Sequence, residues 1–299
     1  IDVPIAMAPA SACLVLRAYA ASESPTAYAR GLSELHQPEL LEKLAQEHAQ
    51  QPAGDLYRAQ SIMTNWKSPP TATAQQAGAK QTYIEALTRY LDSKPSDIDG
   101  LWALDHVKFI LAELTPAIVN RIEYWGASPR DRAALRPCAD LAQRLSIAAV
   151  TQFHSALVAA EQKNTLDDRD YLALYNHHSS AVYDAAYADY FAALARPADA
   201  PDRSTLLTKA SAALAAFADG DASNGVKYQS LLLRGKAEIE AGHAAAAQRD
   251  LAAAGVSAAP AWVQDQAHYQ QVVATLNYGD AAATQRRRGA RRGAAAAGD

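Results

Sequence analysis

The chain has 299 residues; about a quarter are alanine, and Val and Ile together are sparse. A formal net charge of −4 and a pI near 6.1 give the molecule as a whole no pull toward nucleic acid or acidic lipid. Two cysteines, Cys13 and Cys138, are too few for a disulfide scaffold, and no apolar run has the length of a transmembrane helix. One Cys13–Cys138 bridge or two buried thiols both remain open. Alanine is the best helix former, while strands want β-branched side chains, so the composition predicts an all-α fold. Because an alanine methyl buries little area, the core has to come from close helix approach. That suits stacked antiparallel helical pairs better than one compact bundle.

In chain order, Ile5–Ala20 is apolar and ends in Ala-Tyr-Ala like a signal-peptide end. It contains Pro9 and lacks a basic leader, so it reads as a packed N-terminal helix. Opening on Ile1, the chain reads as a fragment or a processed product. Ser24-Pro25 starts the next helix, with serine as N-cap and proline in the first turn. Pro38–Gln50 is a short amphipath with Leu40, Leu41 and Leu44 inward, and Pro52-Ala53-Gly54 is expected to break it before a helix over Asp55–Trp66. Lys67–Gly78, with paired prolines, is the most loop-like interior stretch and closes a first region, residues 1–67. A central region, 79–195, then carries Ala79–Leu91, a helix Ile98–Leu114 capped by Ser96-Asp97, and Ala117–Trp125 closed by Gly126. Ser128-Pro129 opens another helix that Pro137 is expected to split before Cys138–Gln162. Thr165 and Asp168 cap a span to Ala195 in which a break is expected at His178-Ser179-Ser180. Residues 196–284 read as helical pairs, and 285–299 as an Arg/Ala-rich flexible tail.

Within the last third, Tyr228–Pro260 reads as two helices, Tyr228–Ala241 and Ala244–Ala254, joined by a Gly-His turn. Leu231, Leu232, Ile239 and Leu251 supply an apolar stripe, while Gly235 and Ala247 are small where two helices come closest. Gly279 lies 37 positions after Gly242 and Thr284 lies 37 after Ala247; stepping back equally, Ala210 and Leu214 align with Ala247 and Leu251. This resembles the tetratricopeptide (TPR) repeat, a helix–turn–helix unit of about 34 residues that stacks into a solenoid. Glu238 stands where the family usually has tyrosine, and Pro260 comes one residue late. The resemblance implies a TPR-like α-solenoid whose concave face holds a protein or peptide. It places Gln229, Leu232, Lys236, Ile239 and Glu240 on that face, followed by Gln266, Tyr269, Val273, Leu276 and Asn277.

Other constellations were weighed for chemistry. His154, His177 and His178 lack the i, i+3 or i+4 spacing that chelates one metal on a helix, and no HExxH occurs. Tyr171, Tyr175, Tyr183, Tyr187 and Tyr190 cluster, the last three on one helical face, as core filler or as the lining of a groove. Arg286, Arg287, Arg288, Arg291 and Arg292 form the strongest local charge, suited to weak, non-specific contact with nucleic acid or an acidic surface, or to no contact at all. Phosphate-loop and nucleophile-elbow signatures are missing. The sequence therefore predicts a non-catalytic, protein- or peptide-binding scaffold without cofactor or metal. Two alternatives stand beside it: an α-helical ligand-binding protein or enzyme with a pocket of His154, Tyr175, His177, His178 and Tyr187, or a structural subunit of a larger assembly.

Overall fold

The computed structural model describes residues 24–66, 74–96, 98–163, 166–220 and 226–276. Of these, 84% are helical and none lies in a strand, as the alanine-rich composition predicts. The chain divides into two compact units, one ending at Ala188 and the other beginning at Asp189. The expected first helix, Cys13 and the arginine tail lie outside the described residues.

In the first unit α1 is Pro25–Glu34, α2 Pro38–Glu47, α3 Pro52–Thr64, α4 Ala74–Asp92 and α5 Gly100–Phe109. A π-helical turn, Ile110–Leu114, leads into α6 (Pro116–Trp125) and α7 (Pro129–Lys163); α8 (Asp168–Leu194) crosses the division between units. Prolines open α1, α2, α3, α6 and α7, where a missing N–H costs nothing and the fixed φ suits the first turn. At α1, Ser24 caps by accepting from the Ala27 N–H at 3.2 Å. Consecutive helices α2, α3 and α4 pack on one another, and α5 packs on α7.

The core of this unit joins helices from before and after residues 67–73: Leu32, Leu41 and Leu56 share a cluster with Tyr83, Leu87, Trp102 and Leu145. At its centre His106 is wholly buried. The Tyr83 hydroxyl donates to its Nδ1 at 2.6 Å, and its Nε2–H donates to Gln60 Oε1 at 2.9 Å. Burial pushes the imidazole down to about 3, so the ring is neutral and one tautomer satisfies both bonds. Trp102 lies over the same ring, with centroids 4.3 Å apart.

The second unit contains α9 (Pro201–Ala218), α10 (Val226–Ala241), α11 (Ala244–Ala254) and α12 (residues 261–276). Its core is smaller in side-chain size: Tyr228, Leu231, Leu232, Leu251, Ala254, Val263 and Ala267. Gly242 turns α10 into α11 with φ +83°, a conformation glycine adopts without a Cβ penalty. Gly235 is the close-approach residue, but it faces Leu251 rather than the expected Ala247: a Cβ there would sit 2.7 Å from Leu251 Cγ. Ion pairs rim the helices. Arg234 bonds Asp250 at 2.7 Å and Asp219 at 3.1 Å, Lys209 reaches Asp189 at 2.9 Å, and Arg203 meets Glu240.

Four local expectations are corrected. Pro52 starts α3 instead of breaking the chain, and Gly54 lets that helix approach the His48 carbonyl. The cap of α5 is Asp99, whose Oδ1 accepts from the Trp102 N–H at 2.8 Å, not Ser96-Asp97. Pro137 does not split α7. Pro137 and Ala133, whose carbonyl loses its i+4 donor, are both on the exposed face, where water replaces the bond. Nor does α8 break at His178-Ser179-Ser180; buried Ala181, Asp184 and Ala188 hold that face of the helix against the core.

Candidate functional site

The second unit presents one apolar surface. On α12 the buried face is Val263, Ala267, Gln270 and Ala274, spaced four, three and four apart. Turned away from it, Trp262, Val272 and Leu276 are 52%, 57% and 62% exposed, and half-buried Tyr269 lies between them. At 100° per residue these four fall within one arc, with Asp265 inside it. The polar edge of the helix is tied to α11: Gln248 donates to the Gln271 carbonyl and to Thr275 Oγ1, both at 3.3 Å.

Of the residues assigned to a concave face, the structure brings Lys236 and Gln266 together. Lys236 is buried on α10, and its Nζ donates to Gln266 Oε1 on α12 at 3.0 Å. Glu240 is engaged by Arg203, whose guanidinium donates to its carboxylate and its backbone carbonyl. Gln229 is half-buried near the start of α10, and Leu232 belongs to the core. Asn277 lies outside the described residues. Tyr269 and Leu276 were assigned to that concave face from the sequence, and Trp262 and Val272 were not singled out. Their spacing to Tyr269 and Leu276 was the available signal.

The His/Tyr region sits where α7 and α8 meet. His154 and His178 approach with ring centroids 5.8 Å apart, and His177 stacks on Phe153 at 5.7 Å. Partial burial, and then the neighbouring His154, push His178 below the usual histidine range. Tyr171 donates to Glu161 at 2.9 Å, whereas Tyr175 is exposed. Deeper along α8, Tyr183 and Tyr187 contact each other with centroids 5.6 Å apart, and burial pushes both phenols up. Between them in sequence, Asp184 is buried, and its Oδ2 has no hydrogen-bond partner. Burial pushes this carboxyl up to about 6 against the opposing pull of Lys108. In the sequence Asp184 is marked only as an acid flanked by stripe tyrosines, and it was not singled out.

A further feature that no motif announced is an open cleft of about 860 Å³ between α2, α3 and α4, edged by Glu39, Glu42, Lys43, Gln46 and Trp66. Among the described residues, no group of three or more His, Cys, Asp or Glu side chains is placed to hold a metal ion, and no helix is long and apolar enough to cross a membrane. No protein-family model matches the sequence, and neither a curated protein nor a solved structure shows significant similarity to it.

Proposed function

We propose that this chain is a non-catalytic scaffold of stacked helical pairs, tetratricopeptide-like in its last third, that binds another protein or a peptide segment. The observation that carries the reading is the exposed arc Trp262–Tyr269–Val272–Leu276 on α12. Large apolar side chains grouped on one helical face raise the free energy while they face water and lower it when a partner buries them. The repeat step supports the same view: 37 residues carry α10 onto α12, and the Gly242 turn is followed 37 residues later by Gly279. The reading is tested by affinity capture on the immobilised full chain. Trp262→Glu with Leu276→Glu is expected to abolish capture while circular dichroism stays unchanged, and His177→Ala with His178→Ala to leave capture intact. The reverse pattern overturns the reading.

One observation favours a second reading, a ligand-binding or catalytic pocket on α8. A buried carboxyl held near 6 beside two tyrosines is the kind of group that exchanges a proton at neutral pH. Asp184→Asn decides between the two: capture that survives Trp262→Glu with Leu276→Glu but is lost with Asp184→Asn at unchanged circular dichroism favours the pocket.

A further inference from the structure

The pairing of helices in the second unit has an unmatched end. In the α10–α11 pair, Gly235 lies under Leu251, and Ile239 packs against the same core. The residues 37 positions later on α12 are Val272 and Leu276, and both are exposed. So the face that α11 covers on α10 is open on α12.

The sequence after α12 begins as a copy of α11 and then departs from it. Gly279, Ala281, Ala282, Ala283, Gln285 and Arg286 repeat Gly242, Ala244, Ala245, Ala246, Gln248 and Arg249. The three apolar positions that are wholly buried on α11 all differ: Ala247 is matched by Thr284, Leu251 by Arg288 and Ala254 by Arg291. A guanidinium in the place of a wholly buried leucine carries a desolvation cost that an apolar contact with Val272 does not offset. At these positions the sequence offers hydroxyl and guanidinium groups where α11 offers apolar ones.

It does bring charge. Five arginines, Arg286, Arg287, Arg288, Arg291 and Arg292, begin ten residues beyond Leu276. Ten residues span at most about 35 Å, so these charges reach any segment lying along α12, which is itself about 24 Å long. Asp265, inside the arc toward the start of α12, disfavours acid at that end.

We infer that the open face of α12 takes an amphipathic helix of another protein, with its apolar side on Trp262, Tyr269, Val272 and Leu276 and its acidic residues toward the Leu276 end. This rests on the binding reading above and gives the partner its chemistry. Apolar burial supplies the contact, and the arginines supply steering and salt dependence.

The test uses the full chain and a fluorescein-labelled synthetic helix of about 18 residues. Leucines occupy one face, and glutamates fill the other faces of one half. One control replaces Glu by Gln; a second keeps the composition but scatters the leucines around the helix. By fluorescence anisotropy the acidic amphipath is expected to bind at least about tenfold tighter than either control. Raising salt to about 0.5 M is expected to weaken it by about tenfold. Trp262→Asp with Leu276→Asp is expected to lose binding without a change in Tm, and replacing the five arginines by Gln to remove the salt dependence. Equal binding of the controls, or undiminished binding by the Trp262/Leu276 variant, overturns the inference. So does a lowered Tm with faster hydrogen exchange at Val272 and Leu276 on deleting residues 277–299, which would mean the chain covers this face itself. A dimer that Leu276→Asp dissociates overturns it in favour of a second copy. If capture from the native source persists while the peptide fails, the scaffold reading stands and only the partner's chemistry falls.

Discussion

The two units build their cores by different means. The first packs large rings, Trp102, Tyr83, Trp66 and Phe109, around a buried polar chain of Tyr83, His106 and Gln60. The second brings small residues together, with Gly235 under Leu251 and Ala247 and Ala254 fully buried, and holds its helices at the rim with Arg234, Arg203 and Lys209. Ring-filled cores fail by leaving voids and orphaned polar atoms, whereas closely approached helices fail by being pushed apart.

That contrast is broken most severely by removing a ring. Trp102→Ala deletes a wholly buried side chain from the first unit and is expected to cost about 3–5 kcal/mol in denaturant unfolding. A loss of less than about 1 kcal/mol would mean that the cluster around His106 is not the stabilising centre of that unit.

Adding volume attacks the second unit instead. Gly235→Ala places a Cβ 2.7 Å from Leu251 Cγ and 2.8 Å from its Cδ2, with an expected cost of about 1–3 kcal/mol. Combining it with Leu251→Val is expected to recover part of that loss, so a double-mutant cycle reads the contact directly. Additive losses would show that the two residues do not touch.

The smallest effect is in the pH dependence of the first unit, where two buried groups oppose each other. His106 is held near 3, below its ordinary 6.5, so between those values the unfolded chain binds a proton that the fold refuses. Its contribution to stability therefore falls as pH drops through that window, by at most about 1.4 kcal/mol per pH unit. Asp184 is held near 6, above its ordinary 3.8, so the fold keeps a proton that the unfolded chain releases. Its contribution falls as pH rises from about 4 to about 6. The two slopes nearly cancel in that range. Relative to the wild type, Asp184→Asn is expected to lose stability more steeply on acidification from pH 6 to 4, measured by urea unfolding at each pH. Parallel curves would show that Asp184 is ionised in the fold.

How much of this was legible follows from where each signal lives. The all-helical class was readable because alanine content and missing β-branched residues act on every residue of the chain. Starts such as Ser24-Pro25 and Ser128-Pro129 were readable because caps are local, and the α10–α11 turn because Gly242 needs a positive φ. Pro137 misled because its cost depends on which face it occupies, and exposure is decided by burial of Leu135, Cys138 and Leu145 around it. Gly235 was recognised as a close-approach residue, but its partner depends on the rotation of two helices, which spacing alone does not fix. His106 and Asp184 were invisible because burial comes from neighbours far away in sequence. On α12, Tyr269 and Leu276 were assigned to a concave face with Gln266, Val273 and Asn277, whereas grouping them with Trp262 and Val272 required knowing which side Ala267 and Ala274 bury.

The Tyr83–His106–Gln60 chain also constrains how this sequence can vary. Its hydrogen bonds run one way, from hydroxyl to Nδ1 and from Nε2–H to the amide oxygen, and each residue comes from a different helix. Changing one member alone leaves a buried donor or acceptor unmatched, so no single substitution is a neutral first step. Gln60, Tyr83 and His106 are thus expected to co-vary across related chains, replaced together by an apolar trio or kept together.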